Sequence, residues 1–241
     1  MFKYEMHLHS NGTSACGSSD AVEYIEAAKK NGYAGMVFTN HFYRGNTAIS
    51  RELSWQEFVA CYHEEYLRVR EVGEKEGIDG LFGIEEGFGG GKECLIYGLD
   101  AETIALEKSF SKLPIGELSQ FVRENGGFIA QAHPFRQRGY IPNPSELPNI
   151  ANFDAIEVYN RGNTLEDNIT AEEFARETGV AVIAGGDVHS VSGFGRSGVA
   201  FPERVSTGKD LVRLLKSGKY KLVADAAVGN VGNLFEYFDC L

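Results

Sequence analysis

Short apolar runs alternate with longer helix-forming stretches along the whole chain, and this alternation is the strongest constraint on its fold. Residues 2–8, 35–39, 80–84, 93–97, 128–132, 155–159 and 180–184 read as strands. Residues 20–31, 55–77, 115–125, 170–178 and 209–217 read as helices, with Ser18 or Ser19 placed to cap the first and Gly32 to stop it. Strands separated by helices predict a mainly parallel sheet. The run Val180-Ala181-Val182-Ile183-Ala184 is apolar throughout, as a strand covered on both faces must be. More than six such units in 241 residues favour a closed barrel over an open sheet, with the whole chain, 1–241, as one domain. Two segments read as loops: 87–91, which holds Gly89-Gly90-Gly91, and 140–152, which holds Pro142, Pro144 and Pro148.

Charge and cysteine usage narrow the partners. A net charge of −11 argues against nonspecific wrapping of nucleic acid, which needs a basic face. Cys16, Cys61, Cys94 and Cys240 are scattered without a CxxC pair, so no disulfide framework is expected. The first residues carry no basic segment followed by an apolar stretch, and no apolar run approaches the ~18 residues that span a bilayer. The expectation is a cytoplasmic protein with no membrane partner.

Five of the six histidines, His7, His9, His41, His133 and His189, fall at or just past the C-terminal end of a predicted strand. In a barrel of parallel strands, active sites are built at that edge. In His7-Leu8-His9, residues two apart on a strand point the same way, so both imidazoles reach one point. Alone, this pattern equally describes two polar residues on a solvent face. Asp187-Val188-His189 repeats the spacing after the last clear strand, although an acidic helix cap with an incidental histidine has the same spelling. Glu85 ends the third strand beside Glu86; if extended, only one of the two carboxylates enters the site. Five imidazoles and two carboxylates exceed the roughly four ligands of one tetrahedral zinc. They suit two or three divalent ions, spaced to clamp a phosphoryl group and activate water.

Other residues are read around this set. Glu157 is either a group that holds a ligand imidazole or a salt-bridged barrel residue. His63 lies within a long helix and is read as surface or packing, and Cys61 and Cys240 as inert. Arg136, Arg138, Arg161 and Arg196 follow strand ends, where guanidinium groups would hold a phosphate or carboxylate; surface solubility explains any single one as well. Tyr43, Arg44 and Trp55 are candidates for a lid.

The ordered set His7-Leu8-His9-Ser10, Thr39-Asn40-His41, Gly83-Ile84-Glu85, Ala132-His133-Pro134 and Gly186-Asp187-Val188-His189 resembles the PHP (polymerase and histidinol phosphatase) family, over residues 7–189. The resemblance implies a distorted seven-stranded α/β barrel, TIM-like, with a trinuclear centre of zinc, manganese or iron, and phosphoester hydrolysis. It implies that His7, His9, Glu85 and Asp187 hold the first ion, that Glu85 bridges to a second shared with His133, and that His41 and His189 hold a third. Three positions depart from the family pattern. Cys16 stands where an Asp or His is usual, Asn40 replaces the Asp of Thr-Asp-His, and Glu93 lies where many members carry a ligand His. The chain is too short for a polymerase. The function expected is a metal-dependent phosphoric ester hydrolase acting on a small anionic phosphorylated substrate or short nucleotide through a metal-activated water, with Asp187 or His189 relaying the proton. An amidohydrolase-type hydrolase on the same metals and a non-catalytic metal-binding module are the alternatives.

Overall fold

A computed structural model describes residues 1–224, so Cys240 lies outside the described residues. The elements run β1 (Phe2–Glu5), α1 (Glu23–Lys30), β2 (Gly35–Phe38), α2 (Trp55–Glu76), β3 (Asp79–Gly89), β4 (Lys92–Tyr97), α3 (Ala101–Leu106), α4 (Ile115–Glu124), β5 (Phe128–Gln131), β6 (Ala155–Asn160), α5 (Leu165–Thr178), β7 (Ala181–Gly185), β8 (Gly198–Phe201), α6 (Gly208–Ser217) and β9 (Lys221–Val223).

The strands form one sheet in the order β7-β6-β5-β4-β3-β2-β1-β8-β9. It curls until its ends nearly meet. His9 N–H donates to the Val188 carbonyl (2.8 Å) and Val188 N–H to the His7 carbonyl (3.1 Å), which joins the extension of β1 to the segment after β7. The result is a mixed α/β fold around a nearly closed, barrel-like sheet.

One expectation needs correction. The described residues form a nine-stranded sheet in which four of the eight pairings are antiparallel, so it is not the mainly parallel sheet that the alternation predicts. β4 is antiparallel to both neighbours, and β8 is antiparallel to β1 and β9. The cause is local: the predicted loop 87–91 is largely strand, and β3 returns into β4 through Gly89-Gly90-Gly91, all at positive φ. A connection that short makes a hairpin, since a parallel crossover needs a dozen or more residues. β4 therefore starts at the edge where its neighbours end, which brings Glu93 to the histidine-bearing rim.

The helices pack on the outside. α2 starts at a capping box, Ser54 with Glu57, and stops at Gly77 in the left-handed region. α5 uses Thr164 with Asp167 and stops at Gly179 in the same way. One buried cluster joins strands to α5 and α6 through Ala171, Ala175, Leu211 and Leu215. A second sets α2, α3 and α4 on β3–β5, and a third seats α1 against Leu8, Met36, Phe38 and Val188. Tyr43 and Trp55 are not a lid: both pack edge-on or stacked among Phe42, Phe58 and Phe110, and Trp55 Nε1 donates to the Ile104 carbonyl.

Candidate metal centre

The rim gathers His7, His9, Cys16, His41, Glu85, Glu93, His133, Asp187 and His189. His7 and His9 leave the end of β1 on the same side, with ring centroids 5.2 Å apart. Glu85 is central and 1% exposed. Its Oε1 lies 3.1 Å from His7 Nε2 and 3.1 Å from His133 Nε2. Its Oε2 lies 3.3 Å from His9 Nε2 and 2.9 Å from His41 Nδ1. Asp187 Oδ1 sits 3.5 Å from His7 Nε2 and 3.2 Å from His9 Nε2. Glu93 reaches His41 Nδ1 at 3.4 Å and His133 Nε2 at 3.6 Å. Glu86 points away and pairs with Arg44 at 3.1 Å.

The Asp187–His189 segment is not the extended pair that its spacing suggests. Asp187 lies at φ 49° and His133 at φ 27°, left-handed values that residues other than glycine rarely adopt. Backbone strain of this kind collects where side chains must be aimed. Here it turns the Asp187 carboxylate toward His7 and His9, while the His189 ring stacks on His9 at 4.5 Å.

The residues behind the rim fix which nitrogen faces it. His7 Nδ1 donates to Glu157 Oε1 (3.0 Å), leaving Nε2 for the centre. Glu157 pairs with the His7 imidazole through Oε1, and its Oε2 accepts from His133 N–H. Ser14 Oγ gives its hydrogen to Asn40 Oδ1 (2.8 Å) and accepts from His41 N–H, so His9 Nδ1 at 3.1 Å must be the donor and His9 Nε2 the free lone pair. Glu65 on α2 anchors this group through Ser10, Thr13 and Asn40. Buried Glu5 accepts from the backbone of Met6, His7 and Gly186 and from Ser197 Oγ, tying the end of β1 to the turn that carries Asp187.

Charge is balanced inside the cluster. Burial opposes charge on His7, but Glu157, Glu85 and Asp187 outweigh it and hold its pKa well above the usual range. Burial pushes His9 down to about 4. Glu85 and Asp187 stay well below the usual carboxylate range against the pull of burial, through His7 with His41 in one case and His7, His9 and Arg136 in the other. Burial raises the Cys16 thiol, but His189 and His41 bring it down to about 6.

The donor set fits divalent cations. His7 Nε2, His9 Nε2, His41 Nδ1 and Glu85 Oε2 are buried and have no hydrogen-bond partner among the described residues. Donors around one ion at zinc-type bond lengths stand about 3.0–3.5 Å apart, which matches the spacings above. Four overlapping groups have ligand atoms within 4.8 Å of one another: His9-Cys16-His41-His189, His7-His9-Glu85, His7-His133-Asp187 and His41-Glu85-Glu93.

Beside the cluster lies a cavity of about 630 Å³, lined by Arg44, Asn46, Lys92, Arg136 and Tyr140 together with the rim residues. Of the four arginines singled out in the sequence, Arg136 alone is in this lining. It is 7% exposed and committed to Asp187 Oδ2 (2.5 Å), Asn160 (3.0 Å) and Asn163 (2.7 Å). Arg138 donates to the Gln137 and Gly162 carbonyls and Arg161 to that of Gly193; Arg196 is exposed at φ 67°. His63 stacks on Tyr66, away from the cluster. Ser14, Glu65 and Lys92 carry no motif signal, because loops and α2 bring them to the site.

A family model described as PHP-associated matches residues 166–220. The fold is similar to that of a two-domain protein containing a predicted PHP-like metal-dependent phosphoesterase from Bacteroides vulgatus, with a TM-score of 0.68 and 17% identity. That match covers 92% of this chain and 64% of the other, so the chain spans less than two thirds of that relative. A proposed metal-dependent phosphoesterase from Bifidobacterium adolescentis is matched with a TM-score of 0.58 and 15% identity, over 90% of this chain and 96% of that one. The lesion-specific endonuclease EndoQ of Pyrococcus furiosus is matched with a TM-score of 0.62 and 13% identity, over 92% of this chain and 57% of that one. No match was found among curated proteins. The fold and the rim define a barrel-like α/β protein with a histidine- and carboxylate-lined centre. The similarity is to PHP-associated and PHP-like proteins, by the family model over residues 166–220 and by fold over most of the chain.

Proposed function

We propose that the protein is a metal-dependent phosphoesterase that hydrolyses a small phosphorylated molecule or short nucleotide. The reading is carried by the four buried ligand atoms without partners that converge beside an open cavity. His7, His9, Glu85 and Asp187 would hold one ion, Glu85, Glu93 and His133 a second, and Cys16, His41 and His189 a third. Ions held there supply Lewis-acid activation of water and of a phosphoryl oxygen.

The chain's own groups do the rest. Glu157 and Ser14 fix the ring nitrogens that face the centre, and Arg136 orients the Asp187 carboxylate. Asp187 and His189 are the two side chains placed to take a proton. His189 Nδ1 donates to the Asp187 carbonyl, which leaves Nε2 as its basic atom. Arg44, Lys92 and the edge of Arg136 are the cationic side chains of the cavity lining, beside Glu85, Glu93 and Asp187, and Arg138 and Arg161 would meet only a substrate that extends beyond it. The strands β1–β7 are read as the ring of a distorted seven-stranded barrel, with β8 and β9 added beyond β1. In the position that lacks a histidine, Glu93 would supply a donor, 3.4 Å from His41 Nδ1 and 3.6 Å from His133 Nε2.

The test is to purify the protein, count metals by elemental analysis, and assay p-nitrophenyl phosphate and its diester with added Mn²⁺, beside a panel of amides. Metal content with ester turnover supports the reading. Turnover of amides alone moves it to the amidohydrolase class, and no metal with no turnover ends it.

A further inference from the structure

We propose that a second cavity, on the far side of the β3–β4 hairpin from the rim, binds a nucleobase, so that the phosphorylated substrate is a nucleotide whose base lies outside the metal centre. The inference rests on the reading of the rim as a phosphoesterase site and names the substrate class of that site.

This cavity has a volume of about 300 Å³, at the small end of ligand sites. Its apolar walls are Phe88 on the hairpin, Ile115 at the start of α4, and Leu147 and Phe153 on the chain that leads into β6. The Phe88 and Phe153 rings lie 5.7 Å apart between centroids. Aromatic faces of this kind give a flat ring a surface to stack on. Lys92 and Glu146 are the charged residues of the lining, one of each sign, which suits a neutral ring better than an ion. Lys92 Nζ donates to the Pro134 carbonyl (2.6 Å) and the Pro144 carbonyl (3.1 Å), so the chain that forms this wall is tied to the hairpin.

Gln131 supplies the polar edge. Along β5, Ala130 and Ala132 belong to the first buried cluster and Ile129 to the second, which carries α4. Side chains alternate along a strand, so Gln131 leaves on the side of Ile129, toward α4 and the cavity that it lines. It is 3% exposed, and its Oε1 has no hydrogen-bond partner among the described residues. A buried acceptor left empty is costly unless a ligand brings a donor. A glutamine amide pairs with N6 and N7 of adenine through two hydrogen bonds. The two cavities are continuous around the hairpin tip, since Gly89 and Lys92 line both. A Cβ on Gly89 or Gly90 would meet nothing within 4 Å, which leaves open space where a ribose can cross from one to the other.

The experiment is equilibrium dialysis of the full chain against labelled adenosine, which carries the base and no phosphate. Saturable binding is expected, weakened about 10-fold or more in Gln131→Leu, which removes the amide. A second variant, Leu147→Arg, puts a bulky cation into the wall and should weaken binding to a similar extent; Leu147 is 68% exposed, so its replacement leaves core packing intact. No saturable binding at millimolar adenosine, or binding that both variants leave unchanged, overturns the inference. If that same chain holds metal and cleaves p-nitrophenyl phosphate, the phosphoesterase reading stands without it. Adenosine binding that the variants weaken, in a chain that neither holds metal nor cleaves an ester, supports the base site and overturns the phosphoesterase reading instead.

Discussion

Glu157 shows how a residue behind the rim governs one on it. Its two oxygens hold His7 Nδ1 and the His133 backbone N–H, and Asn160 Nδ2 donates to it as well. An amide in place of this carboxylate would turn a donor toward groups that already donate. Glu157→Gln is expected to weaken metal affinity by about 10–100-fold, the usual cost of losing such a partner, as read by competition with a chelator on folded protein. Unchanged affinity would contradict the role. Glu86 makes a pH prediction. Burial raises its pKa from 4.5 to about 7, against the pull of Arg44. A carboxyl raised in the folded state contributes stability that is complete below pH 4.5 and is lost as pH rises through about 7. Glu86→Gln removes that loss, so wild type should lose stability relative to the variant between about pH 5 and 8 in urea unfolding with chelator present; a flat difference would refute it. At this scale much was legible. The i, i+2 rule places His7 and His9 together, and strand ends place Glu85 and His133. Asp187 was found by its spacing but not by its geometry, since its left-handed backbone has no sequence signal. The anchoring of Asn40 by Glu65 depends on where α2 lands.

The elements explain the larger differences between sequence and structure. Helix and strand alternation was readable because the apolar runs are long and their caps strong, as in α2. The reversal of β4 was overlooked although its turn is three glycines long, and that turn is what delivers Glu93. Strands β8 and β9 are four and three residues, too short to show a period. The end of β7 gives a sharp test of how closely elements meet. A Cβ on Gly185 would stand 2.5 Å from His7 Cβ and 2.6 Å from Glu157 Oε1. Gly185→Ala must push both aside; it is expected to cost about 1–3 kcal/mol in urea unfolding and to lower metal content measurably. Full metal content in the variant would mean that the rim tolerates more movement than these contacts allow.

The molecule as a whole is acidic, at −11, and places several carboxylates in its interior. In the cluster, imidazolium protons and divalent cations compete for the same nitrogens, His7 and His41 being held above the usual histidine range by the surrounding acids despite burial. Metal binding is therefore expected to release protons and to tighten as pH rises, which calorimetry in buffers of different ionisation enthalpy measures directly. Binding should also raise the melting temperature. Proton-neutral binding would place the ions elsewhere. No helix among the described residues is long and apolar enough to cross a membrane. The cavity of about 630 Å³ sets the scale of substrate that fits beside the rim. The most direct measurement is a crystal structure of the purified protein with anomalous scattering recorded at the zinc, manganese and iron edges. The account predicts two or three peaks, spaced about 3.5–4 Å apart, among His7, His9, Glu85, His133 and Asp187. Peaks bound away from these side chains, or none after incubation with the metals, would contradict it.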